Sequence, residues 1–224
     1  MLILLHTAPL PALIVTISVL GAAFACGFWP RRAERKRLNS IEKWALENGL
    51  HFTKDGPQHL VIPCPSVFFT DGDMYVYNLT QGEWHGREFM GFDYSCRVGK
   101  VGCSLSAVVI GSDRPLKHLF IRPEGIADRV WKPYESEELN FESAQFNNAF
   151  YVSANDRKWA YDVIHPRMME FLLSQPRFMI AFGPKHVIVF HERIFTVPEF
   201  QQAAELASGI LDRLPEYIGE ESKV

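Results

Sequence analysis

The feature that most constrains this chain is an apolar stretch without charge, followed directly by a dense cluster of basic residues. Residues 1–30 contain no Asp, Glu, Lys or Arg, and residues 31–37 read RRAERKR. A helix over residues 11–29 would be about 28 Å long at about 1.5 Å per residue, close to the roughly 30 Å hydrocarbon thickness of a bilayer. The pattern therefore predicts one transmembrane helix at residues 11–29.

The basic cluster predicts the orientation of this helix, because Lys and Arg concentrate on the cytoplasmic flanks of membrane spans. We expect a short N-terminus outside and all later residues in the cytoplasm, as in a single-pass protein of the cell membrane. Cleavage as a signal peptide after residues 23–25, or as a lipoprotein at Cys26, would require a basic leader. Residues 1–10 contain neither Lys nor Arg, which favours a retained anchor.

These patterns divide the chain into four parts. We predict a transmembrane anchor at residues 1–30, a basic juxtamembrane collar at residues 31–38, a globular domain at residues 39–215 and an acidic tail at residues 216–224. The collar is interpreted as a topology signal with affinity for anionic lipid headgroups. Small residues along one face of the anchor would also allow a homo-oligomer, because they let helices approach closely.

The charge balance excludes one class of partner. The chain has 23 basic and 26 acidic side chains, and the collar holds five of the basic ones and a single Glu, so the rest carries a net charge of about −7. A domain that binds nucleic acid needs a basic surface to neutralise phosphates. We therefore expect no nucleic-acid partner.

The hydrophobic patterns predict an α+β domain in which an antiparallel β-sheet is packed by C-terminal helices. Four consecutive strands joined by tight turns, one of them over residues 82–86, predict a meander. These strands are placed at residues 74–81, 87–97, 101–110 and 117–122. Further strands are expected at residues 50–53, 139–142, 150–153, 178–182 and 187–191.

Capping residues predict where the helices begin and end. Asn39 with Glu42 predicts the start of a short helix, which Gly49 then ends. Further helices are expected at residues 156–164, from Pro166 onward, and after the capping pair Thr196 and Glu199.

The cysteines and one asparagine fit a reducing compartment. Cys96 and Cys103 lie symmetrically about a predicted turn at residues 99–100, so they should face each other across two strands. In the cytoplasm they are expected to stay reduced, and the glycosylation sequon that begins at Asn78 is expected to have no role. No cysteine pair has the CxxC spacing of a zinc or thioredoxin-type site.

No segment matches a phosphate-binding loop, a zinc-protease motif or a serine-hydrolase motif. We therefore predict no cofactor and no metal site, and we favour a protein that is not an enzyme. Two segments nevertheless combine polar and aromatic residues that would line a pocket; its candidate residues are Glu142, Asn147, Asp162, His165 and Arg167. The alternative, which we favour, is a helix junction in which these polar groups satisfy one another.

Several distinctive segments are spread over residues 40–215. They read FMGFDY from residue 89, IRPEG from residue 121, LNFES from residue 139, FNNAF from residue 146 and DVIHPRMME from residue 162. In combination they resemble a family of uncharacterised single-pass, membrane-anchored bacterial proteins, common in actinobacteria, that carry a domain of unknown function. The resemblance implies a membrane-tethered globular domain and supplies no catalytic residues.

Three functional hypotheses follow. In the first, the cytoplasmic domain binds a protein partner or a ligand close to the membrane and catalyses no reaction. In the second, the protein is a membrane-tethered enzyme with a site near Asp162, His165 and Arg167, which a cleft joining these groups to Glu142 and Asn147 would favour. In the third, it is an accessory subunit of a membrane complex.

Overall fold

The computed structural model describes residues 32–56, 73–98, 101–125 and 137–218. The predicted anchor at residues 11–29 lies outside these ranges, as do the predicted turn at residues 99–100 and the end of the acidic tail. Within the described ranges, no helix combines the length and the apolar character that a membrane crossing requires.

In the described residues, nine strands form one antiparallel sheet, and five helices accompany it. In chain order the elements are α1 (32–47), β1 (His51–Asp55), β2 (Asp73–Trp84), β3 (Arg87–Val98), β4 (Val101–Gly111), β5 (Leu119–Pro123), β6 (Glu137–Glu138), α2 (Ala144–Asn147), β7 (Phe150–Ala154), α3 (Arg157–Val163), α4 (Pro166–Ser174), β8 (Met179–Gly183), β9 (His186–His191) and α5 (Val197–Asp212). The strand order is β1-β2-β3-β4-β9-β8-β5-β7-β6. The predicted α+β class with a large antiparallel sheet is confirmed.

The first four strands are neighbours in chain order, and the backbones of Cys96 and Cys103 pair as predicted. The turn between β2 and β3 is shorter than expected. It contains only His85 and Gly86, with φ angles of 50° and 78°. Two consecutive positive φ angles make the tight hairpin turn that matches strand twist, so β2 continues through Gly82 to Trp84 and the predicted turn over residues 82–86 is wrong.

The predicted meander also includes one strand too many, because β5 is not a neighbour of β4 in the sheet. β4 pairs with β9, and β5 lies beyond the β8–β9 hairpin, where it pairs with β8 and β7. The connection after β4 explains this order, because it crosses the turn of that hairpin. The N–H of Ser112 donates to the carbonyl of Lys185, and the N–H of Leu116 donates to that of Pro184, each at 2.8 Å.

The first helix differs most from its prediction. It already includes residue 32 and runs through the basic collar, so Asn39 is an exposed residue inside α1 and not its cap. Arg, Ala, Glu, Lys and Leu, which make up the collar, all favour helix and extend it past the weak capping signal. The end is as predicted: Gly49 has a φ of 68°, and the N–H of Leu50 closes the last turn on Ala45 at 2.8 Å.

The later elements follow the sequence prediction with two exceptions, one of which is the short helix α2, which was not predicted. The predicted strand at residues 139–142 is replaced by the two-residue strand β6, because the backbone of Phe141 bonds to the Asn147 side chain instead of to a neighbouring strand. Asp156 caps α3 and His165 caps α4. Thr196 and Glu199 form the capping box of α5 as expected.

Both faces of the central strands carry buried residues. One face forms a core with the helices, in which Trp44 of α1 contacts Phe89 of β3 and Phe200 of α5 at ring-centroid distances of 6.1 and 6.4 Å. The opposite face carries a second cluster that includes Phe92 and Phe190. The strands therefore read as continuous apolar runs, and a polar residue inside one of them requires an explanation.

Candidate functional site at the start of α1

Asp93 is a carboxylate in the middle of β3 with no exposed surface. It lies on the face that carries the helices, and it is the register partner of Tyr77 in β2 and of Ser106 in β4. A buried carboxylate needs hydrogen bonds and a cationic partner, because its ionised form is otherwise very costly to remove from water. Asp93 has both.

Arg37 of α1 supplies the positive charge. Its Nη2 lies 2.9 and 2.8 Å from the two carboxylate oxygens of Asp93. Its Nε donates to the carbonyl of Phe195 at 2.6 Å, and its Nη1 donates to Glu34 at 3.2 Å. All three guanidinium nitrogens are thus in use, and the side chain is only 13% exposed.

Two neutral side chains complete the cluster. Asn78 Nδ2 donates to Asp93 at 2.7 Å, and the hydroxyl of Ser106 donates to the other carboxylate oxygen. Asn78 has a φ of 52° at an irregularity in the β2–β3 register, which reorients its side chain relative to regular strand alternation. This buried role also leaves the amide of the Asn78 sequon without access to solvent.

The same serine connects the cluster to α5. Its hydroxyl accepts the N–H of Phe195 at 2.8 Å, in the loop that leads into that helix. The cluster formed by Arg37, Asp93, Asn78 and Ser106 therefore joins α1, three neighbouring strands and the entrance of α5. It makes the basic collar a structural part of the domain.

A groove of about 470 Å³ opens beside this cluster, between the first turns of α1 and the β1–β2 edge of the sheet. Its walls carry two basic residues, two acidic residues, one aliphatic residue and two residues of β2. They are Arg35, Lys54, Glu34, Asp55, Leu38, Tyr77 and Asn78. The groove is open to solvent and has charges of both signs among its walls, which suits a peptide segment better than a small apolar ligand, for which an enclosed cavity is usual.

The phenol of Tyr77 connects the groove to the buried cluster. Burial raises the pKa of Tyr77, and the nearby Asp93 carboxylate raises it further, although Arg37 acts in the opposite direction. The hydroxyl therefore remains protonated at neutral pH. It already shares a side-chain hydrogen bond with Ser104 and retains capacity for a second bond to a group in the groove.

The structure places the sequence-predicted site residues elsewhere, around α2, α3 and α4. Glu142 and Arg167 are exposed. The amide of Asn147 is occupied by both backbone groups of Phe141, at 2.9 and 2.7 Å. None of the five residues lines the groove beside α1.

Asp162 and His165 make contacts that stabilise the end of the domain. Asp162 hydrogen-bonds the phenol of Tyr217. His165 Nδ1 accepts the N–H of Met168 at 3.3 Å, and its Nε2 lies 3.1 Å from the carbonyl oxygen of Arg213. These contacts join α3 and α4 to the segment that follows α5.

In the described part of the chain, no three His, Cys, Asp or Glu residues are grouped closely enough to hold an ion. His186 and His191 begin and end β9, five residues apart, and thus point to opposite faces as predicted. Burial, with the Arg193 charge nearby, lowers the pKa of His191 and keeps its ring neutral at physiological pH.

Sequence reasoning missed the Arg37–Asp93 cluster. In the sequence, Arg37 is one of several basic residues of the collar, and Asp93 is one of several polar residues in the strand predicted at residues 87–97. The signal that would have found them is an Asp among Phe89, Phe92 and Tyr94, in a strand apolar on both faces. Such a residue requires a cation, and the collar is the densest source of cations in the chain.

The fold defines a class of α+β domain with one large antiparallel sheet and several helices. No protein-family model matches the chain, and no curated protein matches its sequence. Its structure is similar to the crystal structure of the mycobacterial trehalose monomycolate transport factor A, TtfA, with a TM-score of 0.59 and 13% sequence identity. The similarity covers 80% of this chain and 94% of TtfA. At this identity it shows a shared fold.

Proposed function

We propose that this protein is a membrane-anchored accessory protein whose domain binds a protein partner at the cytoplasmic face of the membrane. One observation carries the proposal: Arg37, the seventh residue of the collar, bonds to the fully buried carboxylate of Asp93 inside the domain. A domain that only needed attachment to the membrane would be served by a flexible linker. The buried bond instead fixes the first described turns of α1 to the sheet, a short distance along the chain from the predicted anchor.

The groove beside α1 is the binding surface in this proposal. Leu38, one of its walls, is seven residues from Arg31, which corresponds to about 10 Å along a helix. The groove therefore lies close to the membrane end of α1. A peptide segment of a membrane protein would find an aliphatic contact at Leu38, charges of both signs and the neutral phenol of Tyr77 there.

A second candidate is an accessory role in a membrane transport complex. The similarity in fold to a protein described as a trehalose monomycolate transport factor favours it. The resemblance to actinobacterial single-pass proteins supports the same cellular setting. Within the described residues, no contact favours the alternative of an enzyme at Asp162, His165 and Arg167.

Site-specific photocrosslinking in native membranes tests the proposal. A photoreactive amino acid replaces Leu38 in the groove, and the matched control replaces Leu46, which is 79% exposed at the other end of the same helix. We expect a discrete protein adduct from position 38 and none from position 46. Adducts from both positions, or from neither, would contradict a partner in the groove. A membrane transporter in the adduct would support the second candidate.

A further inference from the structure

His191, at the end of β9, lies beside the Arg37–Asp93 cluster. It is the register partner of Ser106, so the two side chains lie next to each other on the face that carries the helices. The hydroxyl of Ser106 already donates its proton to Asp93 and accepts the N–H of Phe195. The histidine ring is therefore a neighbour of the cluster without a hydrogen bond to it.

The ring of His191 is partly exposed, but its Nδ1 atom is enclosed. Among the described residues, this nitrogen has no hydrogen-bond partner. A neutral imidazole carries a proton on only one ring nitrogen, whereas the charged form carries one on both. Protonation would therefore place a charged N–H donor at an enclosed position that no described acceptor reaches, which is costly.

The charges around this ring also disfavour its protonation. Burial lowers the pKa of His191 most, and the charge of Arg193 lowers it further, whereas Glu192 and Glu199 act in the opposite direction. Glu199 already forms an ion pair with Arg193. β4 faces the ring with an uncharged serine, and α1 presents Arg37, whose charge is balanced by its own carboxylate partners. Geometry and charge thus both favour the neutral ring in the folded domain.

The segment at residues 192–196, directly after His191, also holds α1. The N–H of Ser106 donates to the carbonyl of Arg193 at 3.1 Å, and the N–H of Phe195 donates to the Ser106 hydroxyl at 2.8 Å. The carbonyl of Phe195 accepts Nε of Arg37 at 2.6 Å. Opening this segment would remove one of the bonds that fix Arg37 and would let water reach the cluster.

We propose that protonation of His191 opens the segment at residues 192–196 and thereby weakens the attachment of α1 to the sheet. Opening gives Nδ1 access to water, which relieves the cost of the enclosed charge. The start of α1 is then fixed to the sheet at neutral pH and loosened in acid. This inference depends neither on the predicted anchor nor on a partner in the groove.

The direction of the pH effect follows from the linkage between protonation and folding. The folded pKa of His191 is the lower one, so the ring is neutral in both the closed and the open state above the unfolded value of about 6.5. As pH falls below that value, the open state binds the proton first and is favoured. Glu199 does not titrate in this range. Although burial acts the other way, hydrogen bonds from Thr196 and Arg193 hold the pKa of Glu199 below its usual value.

Hydrogen exchange of the full chain in nanodiscs, at about pH 7.5 and about pH 5.5, tests the inference. Each rate is divided by the intrinsic rate at that pH, so that the remaining change reports opening. His191→Gln removes the titrating ring, and His51→Gln changes an exposed histidine of β1 as the matched control. In wild type and His51→Gln we expect corrected exchange of residues 192–196 and 36–40 to be at least threefold faster in acid. In His191→Gln we expect no change.

Three results would overturn the inference. Corrected rates in wild type that are the same at both pH values would show that the ring does not control the segment. The same acceleration in His191→Gln would assign the effect to another group, and acceleration confined to residues 192–196 would refute the connection to α1. If His191→Gln does not fold, an NMR titration of the wild-type ring decides, and a pKa of His191 at or above about 6.5 would contradict the proposal.

Discussion

Two polar clusters in the described part of the chain differ in burial and in what they connect. The Arg37–Asp93 cluster joins a helix to the centre of the sheet, and its carboxylate has no exposed surface. The α3–α4 junction, which contains Asp156, Asp162, His165 and Arg167, lies at the surface and caps short helices. The two clusters differ energetically because of burial. A charge removed from water is stabilised only by its partners in the protein, whereas an exposed charge is largely screened by solvent.

The two clusters also connect different parts of the molecule. The junction stabilises local helix ends and joins them to the segment after α5. The Arg37–Asp93 cluster connects the collar to three strands that are distant in sequence. The Arg37–Asp93 cluster therefore fixes the start of α1 relative to the sheet.

The largest expected effect comes from removing the buried cation. Arg37→Met leaves Asp93 without a positive partner inside the domain, and breaking a buried pair in this way costs about 3–5 kcal/mol. Urea unfolding of the full chain in detergent measures the loss. Arg35→Met, a change of the same type at an exposed neighbour, should alter stability by less than about 0.5 kcal/mol. Equal losses of stability in Arg37→Met and Arg35→Met would show that the buried Arg37–Asp93 pair contributes no more than an exposed charge.

A double substitution tests whether the loss in Arg37→Met comes from the unpaired charge of Asp93. Arg37→Met with Asp93→Leu removes both charges, and well-packed apolar replacements of a buried pair are often neutral or better. We expect the double variant to regain most of the stability that Arg37→Met loses in the same urea assay. A double variant no more stable than the single one would show that the hydrogen bonds of Asn78 and Ser106 carry the energy instead.

A moderate effect is expected at the cap of α3. Asp156→Ala removes the acceptor for the Trp159 N–H and should cost about 1 kcal/mol. Asp156→Asn keeps an acceptor and serves as the control. Thermal unfolding of the full chain measures both, and an alanine variant as stable as wild type would show that the cap is dispensable.

The same aspartate predicts a dependence on pH. The hydrogen bond from Lys117, followed by that from the Trp159 N–H, holds the pKa of Asp156 below its usual range. The folded pKa is the lower one, so the stabilisation is complete above the unfolded value of about 3.9 and is lost as pH falls through the folded pKa. Asp156→Asn should lack this acid-sensitive component.

The smallest effect is expected at Arg167, an exposed residue of α4. Arg167→Ala should change stability by less than about 0.5 kcal/mol, as is usual for surface positions. It should also leave the position-38 photocrosslink unchanged. A loss of that adduct would connect the junction to partner binding and revive the pocket predicted at Asp162, His165 and Arg167.

Local signals explain which parts of the fold were predictable from the sequence. Pro166 and the pair Thr196 with Glu199 predicted two helix starts, because such start signals act within one turn of their own helix. The strand order was not predictable in the same way. Pairing of β4 with β9 joins residues about 80 positions apart, and no local pattern encodes it.

The candidate site was unpredictable for the same reason. Arg37 and Asp93 are 56 positions apart, and Arg37 and Phe195 are 158 apart. The collar pattern predicts only a topology signal, because its charge is visible in sequence while its buried contact is not. The predicted anchor, the cytoplasmic placement and the domain boundaries remain predictions, since residues 1–31 lie outside the described part of the chain.

Hydrogen exchange of the collar tests the central claim most directly, which is that Arg37 makes the start of α1 part of the folded domain. The measurement follows the amides of residues 36–40 in the full chain in nanodiscs, for wild type and Arg37→Met. We predict exchange in wild type as slow as in the later turns of α1, and at least tenfold faster exchange in Arg37→Met. Fast exchange in wild type, or equal rates in both proteins, would contradict the account.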